Sequence, residues 1–255
     1  MSNKIRTLFF DIESSPIKGY TWQTYDARVL DIVEDWYMLC FAHKWQGEKA
    51  SYVKGLCDYK GYKSGKDCEE KLVKDLWKVF DEAEVVVGHN IRKFDIKKAK
   101  AKFIEYGLKP YSPIKTIDTL TEARKFGFTS KKLDEVGKKL GVGRKISHMG
   151  IQLWFDCMEG DQKAWKTMKK YNKQDVVLNE KVFDKLNPWR ENGVNMGMLV
   201  DDGNPICPCC GHDDLMKRGF TYTNSGKYQR YQCKKCGRYP RARDKVKNSG
   251  NPLTH

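Results

Sequence analysis

No run of apolar residues approaches the ~20 that a membrane-spanning helix requires, and the opening Met1-Ser2-Asn3-Lys4-Ile5-Arg6 has no long apolar stretch of the kind found in a secretion signal. Both absences argue against a membrane protein and predict a chain that stays in the cytoplasm, where it is made. Internal repeats and low-complexity tracts are missing as well. Without a secretion signal, the nine cysteines are expected to act as thiols and metal ligands, because cytosolic redox poise keeps disulfides reduced. Acid is in short supply: 33 Asp and Glu stand against 48 Lys and Arg, a formal net charge of +15. That deficit predicts attraction to a polyanion, with nucleic acid first, since each phosphate neutralised by Lys or Arg releases a condensed counterion. Hydrophobic residues at 40% and charged residues at 32% are ordinary for a folded, water-soluble protein. The 255 residues suffice for one domain with a sizeable core and a smaller second unit.

Thr7-Leu8-Phe9-Phe10-Asp11-Ile12-Glu13 is a short apolar run ending in carboxylates, the pattern of a buried strand whose C-terminal end opens onto a site. Two more strand-like stretches, Trp36 to Trp45 and Ala50 to Val53, are separated by a turn at Gly47 and predict an antiparallel meander. Leu72, Val73, Leu76, Val79 and Phe80 recur at helical spacing within Cys68 to Glu82, and Val85-Val86-Val87 then reads as a buried strand closed by Gly88. The order is βββαβ. A helix over Asp95 to Tyr106, stopped by Gly107, a strand at Ile114 to Ile117, a short helix around Leu133 to Leu140 and one or two helices between Gln162 and Lys185 follow. Asn187-Pro188 ends the helical region, and the Gly, Asn, Asp and Met of 192–205 read as a linker.

Three acidic elements stand out. Asp11 and Glu13 lie two apart on a strand, so both side chains point to one face and can share a divalent ion. Gly88-His89-Asn90-Ile91-Arg92-Lys93-Phe94-Asp95 leaves a buried strand and enters a helix, with Asp95 near its start, where a plain capping role also fits. Tyr171 and Asp175 are four apart, which brings phenol and carboxylate onto one helical face.

In this order, the three elements resemble the exonuclease motifs of the DEDD superfamily, in particular the tyrosine subclass found in the proofreading domains of family B DNA polymerases. There the motifs read Asp-Ile-Glu, Asn-x-x-x-Phe-Asp and Tyr-x-x-x-Asp. Ile117-Asp118-Thr119-Leu120, Lys132-Leu133-Asp134 and Leu140-Gly141 extend the similarity over about residues 5 to 186, with Ser14 where Thr is usual and no room for a polymerase domain. The resemblance implies an α/β fold, an RNase H-like mixed sheet flanked by helices. It also implies two-metal-ion 3′–5′ hydrolysis of phosphodiesters, in which two Mg²⁺ or Mn²⁺ about 4 Å apart activate water and stabilise the leaving oxygen. Asp11, Glu13, Asp95 and Asp175 would be the metal ligands and Tyr171 would position the attacking water, because a phenol with pKa about 10 is a poor base at neutral pH. Asn90 and Phe94 would contact the terminal nucleotide, a structural role being the alternative. His89 receives no role, and His43 and His148 read as packing or surface residues.

Cys207-Pro208-Cys209-Cys210-Gly211 and Cys233-Lys234-Lys235-Cys236-Gly237 form two Cys-x-x-Cys knuckles, each closed by the glycine that its tight turn needs. Cys207, Cys210, Cys233 and Cys236 are the expected ligands of one Zn²⁺. Cys209 could replace either neighbour, but only 207 and 210 reproduce the gap of the second knuckle. Between the knuckles, a β-hairpin is expected around Asn224-Ser225-Gly226. The module resembles a zinc ribbon. Lys227 to Lys247 holds nine basic residues and one acidic residue interleaved with Tyr228, Tyr231 and Tyr239, a pattern suited to nucleic acid, and the chain beyond Lys247 is expected to be disordered.

The expected organisation is a nuclease domain over 1–190, a linker over 191–204 and a zinc ribbon with a basic tail over 205–247. DNA with a free 3′ end is the expected substrate, and RNA the alternative. A third reading is a docking protein that keeps the nuclease fold and uses the ribbon to bind a replication or transcription protein. The two-part architecture also looks similar to proteins encoded by bacterial viruses, which would act in the host cytoplasm.

Overall fold

A computed structural model of the chain describes residues 5–25, 27–147, 149–200, 203–224 and 226–247. His148, Ser225 of the expected hairpin turn, the opening Met1 to Lys4 and the tail beyond Lys247 lie outside them. The chain divides into two compact units, one of residues 6–183 and one that runs from Asp184 onward and includes Ile5.

In the first unit the strands are β1 (Thr7–Ser14), β2 (Lys18–Tyr20), β3 (Asp31–Glu34), β4 (Met38–Trp45), β5 (Tyr52–Gly55), β6 (Val85–Gly88) and β7 (Lys115–Asp118). The helices are α1 (Glu69–Asp81), α2 (Asp95–Glu105), α3 (Thr119–Ala123), α4 (Leu133–Lys139), α5 (Gln152–Met158) and α6 (Gln162–Leu186), whose last turn contains the division between the units. Five strands form a mixed sheet in the order β5-β4-β1-β6-β7. The expected meander is present: β1 pairs antiparallel with β4 and β4 with β5, whereas β6 joins β1 and β7 joins β6 in parallel. Helices α3 and α5 go beyond the expectation, and so does one hairpin. The residues after β1 turn out as a separate two-stranded hairpin, β2–β3, and β4 therefore starts at Met38 and not at Trp36.

Strand parity explains how the sheet sorts its side chains. Leu8, Phe10 and Ile12 turn to a core shared with Leu72, Leu76 and Phe80 of α1 and Phe103 of α2. Phe10 meets Phe80 edge to face, ring centroids 4.7 Å apart, and burial of one such side chain stabilises by ~1.5–3 kcal/mol. Phe9 faces the other way and meets Phe183 of α6 with centroids 5.4 Å apart. Asp11 and Glu13 share the parity of Phe9, so they share its face.

Gly88 ends β6 because the chain must fold back there at once. A Cβ on it would sit 2.4 Å from Ile91 Cδ1, inside contact distance, so only glycine lets Ile91 close the turn.

In the second unit, β8 (Leu215–Thr223), β9 (Gly226–Cys233) and β10 (Arg241–Lys245) form an antiparallel sheet in the order β10-β9-β8, the hairpin expected between the knuckles with one strand added. The stretch read as a linker carries a 3-10 turn at Met196–Leu199 with Met196 buried. Among the described residues, no helix is long and apolar enough to cross a membrane.

Candidate active site

Pairing between β1 and β6 stops at Phe9 and Val87, while β1 runs on to Ser14. Asp11 and Glu13 thus lie past the carboxyl end of their parallel neighbour, the position where open α/β sheets place ligands. Asn172, Asp175, Val176, Asn179 and Phe183 recur at helical spacing along the buried face of α6, which brings carboxamide and carboxylate onto the Asp11 side of the sheet. Carboxylate oxygens of Asp11, Glu13 and Asp175 lie within 4.8 Å of one another.

Asp95 is not in that trio. Its Oδ1 accepts the Ile12 N–H at 3.1 Å, so it is clamped to the backbone between Asp11 and Glu13 from the first turn of α2. The loop that delivers it is itself fixed. Asp118 at the end of β7 accepts N–H groups of Asn90 at 3.0 Å and Arg92 at 3.3 Å, and those of Leu120 and Thr121 at the start of α3. Asn90 sits in the left-handed region at φ 66, a conformation asparagine tolerates better than most residues, and its carbonyl accepts from Phe94 N–H. Phe94 is 41% exposed at the entrance to α2.

Tyr171 is buried, and its phenol oxygen accepts from Lys145 Nζ at 3.1 Å while the same ammonium donates to Asp175 Oδ2 at 2.5 Å. Asn172 donates from Nδ2 to Asp11 Oδ2 at 2.7 Å. The indole of Trp154 hydrogen-bonds Glu13, and its ring stands edge to face with Tyr171 at 6.2 Å. Lys98, one turn beyond Asp95, donates to Ser14 Oγ at 2.7 Å with its ammonium over the rings of Trp36 at 4.0 Å and Phe94 at 4.9 Å. Sequence reading missed Lys145, Asn172, Trp154 and Lys98. The one available signal was Asn172, an amide on the buried side of a helix three residues before an acid.

The electrostatics are those of a cluster short of positive charge. Burial, then Asp95, Glu13 and Asp175, push Asp11 well above the usual carboxylate range. Burial and Asp175 push Glu13 up to about 8, and burial raises Asp95 to about 7 against the hydrogen bond from Ile12. Burial would depress Lys145, but Asp175 and Tyr171 beside it hold its proton firmly. Tyr171 rises above the usual phenol range through burial and Asp175, so it stays protonated at neutral pH.

The sequence pattern of the RNase H superfamily spans residues 8–187. The chain belongs to the RNase H superfamily. Among solved structures with a similar fold is the family B DNA polymerase from the hyperthermophilic archaeon Pyrobaculum calidifontis, 19% identical with a TM-score of 0.54. The similarity covers 73% of this chain and 25% of the polymerase, so this RNase H superfamily chain spans about a quarter of that protein's length. Comparison with curated proteins gives no match.

His89 and His43 of this RNase H superfamily member serve packing. Burial lowers His89 to about 4, and its ring bridges Thr119 Oγ1 and the Lys131 carbonyl, each at 3.0 Å. His43, also lowered to about 4 by burial, stacks between Phe41 and Tyr52.

Raised carboxylates predict a pH response. Glu13 and Asp95 bind protons more tightly folded than unfolded, so their contribution to stability is complete below about pH 4 and is lost as pH rises through about 7 to 8. Without added Mg²⁺ or Mn²⁺ the zinc-loaded protein should therefore melt lower at pH 8 than at pH 5.5, by at least the ~2–4 °C that 1 kcal/mol produces at this size. Either cation should flatten the dependence. A thermal midpoint that is independent of pH without Mg²⁺ or Mn²⁺ would contradict it.

In the second unit the four expected cysteines form one group, with ligand atoms within 4.8 Å of one another. Cys207 and Cys236 sulfurs are 3.7 Å apart, as are those of Cys210 and Cys233. A tetrahedron with Zn–S bonds of ~2.3 Å has edges of about 3.8 Å, so the thiol spacing fits the ion. Both knuckles share one geometry: Gly211 (φ 70) and Gly237 (φ 77) donate N–H to the carbonyls of Cys207 and Cys233. Hydrogen bonding, led by Cys207, holds Cys236 well below the usual thiol range. Cys209 has another task. Its thiol donates to the Asn187 carbonyl at 3.0 Å, and Asn187 Nδ2 donates to the Cys209 carbonyl at 3.1 Å.

Proposed function

We propose that this chain is a two-metal-ion 3′–5′ exonuclease that removes nucleotides from the 3′ ends of nucleic acid, DNA first. Its nuclease domain would occupy 1–190 and a Cys₄ zinc ribbon 205–247. The observation that carries the reading is the meeting of Asp11 and Glu13 from β1 with Asp175 from α6, residues far apart in the chain, within 4.8 Å. The all-oxygen donor set suits hard cations such as Mg²⁺ or Mn²⁺ and offers nothing to a soft one. The elevated proton affinities of Asp11, Glu13 and Asp95 point the same way, because a carboxylate cluster that repels itself gains most from a cation.

Asp11, Glu13 and Asp175 would hold the ions, with Asp95, hydrogen-bonded to the Ile12 N–H, completing the set. Bound divalent cations supply a nucleophilic water and neutralise charge on the phosphate. The remaining work falls to side chains. Tyr171 keeps its proton, so its hydroxyl orients the attacking water and does not deprotonate it. Lys145 fixes both Tyr171 and Asp175 and presents positive charge beside the carboxylates, where a phosphate oxygen would lie. Asn172 sets the rotamer of Asp11. Phe94, exposed beside this cluster, would meet the terminal base, and Asn90 would contact the same nucleotide.

The test uses oligonucleotides labelled at the 3′ or the 5′ end, each as DNA and as RNA, with Mg²⁺, Mn²⁺ or no added divalent cation. A 5′-labelled DNA strand should shorten one nucleotide at a time, and the 3′ label should be released first as a mononucleotide. Internal cuts, shortening from the 5′ end or turnover without a divalent cation would each refute the assignment.

A further inference from the structure

We infer that one face of the β8–β9 hairpin is a platform for single-stranded nucleic acid, on which bases stack. The inference rests on the proposal that the chain acts on nucleic acid and adds where the second unit grips it. Cross-strand partners in an antiparallel pair share a face. Lys217 pairs with Tyr231, Phe220 with Gln229 and Tyr222 with Lys227. Lys217 and Phe220 are three apart and would point to opposite faces of a regular strand. A bulge at Arg218-Gly219, with Gly219 at φ 68, inserts the extra residue that brings them back together. The result is a ladder of three aromatic rings, two ammonium groups and an amide on one face.

Two of its rings reach solvent. Tyr222 is 71% and Phe220 37% exposed, and Lys227 Nζ stands 4.0 Å from the Phe220 ring centre and 6.0 Å from that of Tyr222. On the other face Tyr228 is buried, with the Arg241 guanidinium 4.0 Å from its ring. Charge selects the partner. Leu215 to Lys247 holds eleven Lys or Arg and one acid, Asp244. Among the described residues, the one ion pair these bases make with an acid is Lys234–Asp214 at 3.0 Å. A surface with so much uncompensated positive charge and flat open rings suits phosphates and bases together, whereas a protein partner would have to be strongly acidic.

The test is fluorescence anisotropy with the full, zinc-loaded chain without Mg²⁺ or Mn²⁺, using oligothymidylate and an abasic strand of equal length and charge. Tyr222→Ala and Phe220→Ala should each weaken oligothymidylate binding by about tenfold, as expected for loss of one base–ring stack, and Tyr222→Phe should restore it. Loss of the ring and loss of the base should not add: the double variant Phe220→Ala/Tyr222→Ala should lose most of the wild-type preference for oligothymidylate over the abasic strand. Lys227→Ala should lower the slope of log K against log salt by about 0.7, one phosphate contact. Equal affinity of wild type and variants, or of wild type for both strands, overturns the platform and leaves the face to an acidic protein. Strand shortening with Mg²⁺, measured on the same preparations, separates this from the catalytic proposal. Shortening with unchanged binding by the variants defeats the platform alone, and ring-dependent binding without shortening defeats the exonuclease alone.

Discussion

Asp11→Asn is expected to lower strand shortening by at least about a thousandfold, some 4 kcal/mol of transition-state stabilisation, while leaving the metal-free fold no less stable than wild type. The two halves of that expectation have separate causes. Asparagine keeps the shape and an acceptor for Asn172 Nδ2, which donates to Asp11 Oδ2 at 2.7 Å, so packing along α6 survives. It removes the group whose own proton affinity burial, Asp95, Glu13 and Asp175 raise, so the share of the pH response carried by Asp11 should disappear, while Glu13 and Asp95, raised chiefly by burial, keep theirs. The carboxylate oxygen that an ion would need is gone. The thermal midpoint should accordingly lose most of its response to Mn²⁺, because a ligand stabilises a fold only as far as it binds it. The measurement is a pair: initial rates on a 5′-labelled strand and melting with and without Mn²⁺. Activity above about a tenth of wild type would remove Asp11 from the metal site. A collapse in metal-free stability would make it a structural residue.

What could be read beforehand, and what could not, follows from the range of the interactions involved. Asp11 and Glu13 are adjacent in parity on one strand, so their shared face was legible from spacing alone. Asp175 was visible as the partner of Tyr171 on a helix. Lys145 was not: its contact with Asp175 spans thirty positions of chain, and it sits in an irregular loop with no periodicity to mark it. Asn172 reaches Asp11 across 161 positions, and Trp154 reaches Glu13 from a helix of only seven residues. Hairpin β2–β3 escaped for the opposite reason. Tyr20, Trp22, Tyr25, Leu30, Ile32 and Val33 are all more than half exposed, so the apolar pattern that betrays a buried strand carries no information there. Cys209 shows the limit of spacing rules even in a strong motif. Spacing set it aside as a ligand but gave it no other role, and its bond to the Asn187 carbonyl supplies one.

Stripping zinc is expected to unfold the second unit and spare the first. The buried cluster around the thiolates consists of Cys207, Cys209 and Cys233, with Cys210, Leu215 and Cys236 packed against them, so the would-be ligands are themselves the core. Such a unit cannot bury enough apolar surface to offset the entropy of ordering its strands. Structural zinc contributes on the order of 10–16 kcal/mol of apparent binding free energy in comparable small modules, which exceeds any other stabilising term available here. The unit of residues 6–183 has its own core, built from Leu8, Phe10, Leu72, Leu76, Phe80 and Phe103, and needs no thiolate. After zinc chelation, followed by removal of the chelator and addition of Mn²⁺, amide exchange in β8, β9 and β10 should become fast while β1, β4 and β6 stay protected. Cys233→Ser should have the same effect and reduce bound zinc from one per chain to well below one. Cys209→Ser should leave zinc content unchanged, because a hydroxyl can still donate to the Asn187 carbonyl. If β8–β10 keep their protection after zinc is gone, the thiolates are not what holds this unit together, and the four-cysteine assignment loses its physical basis.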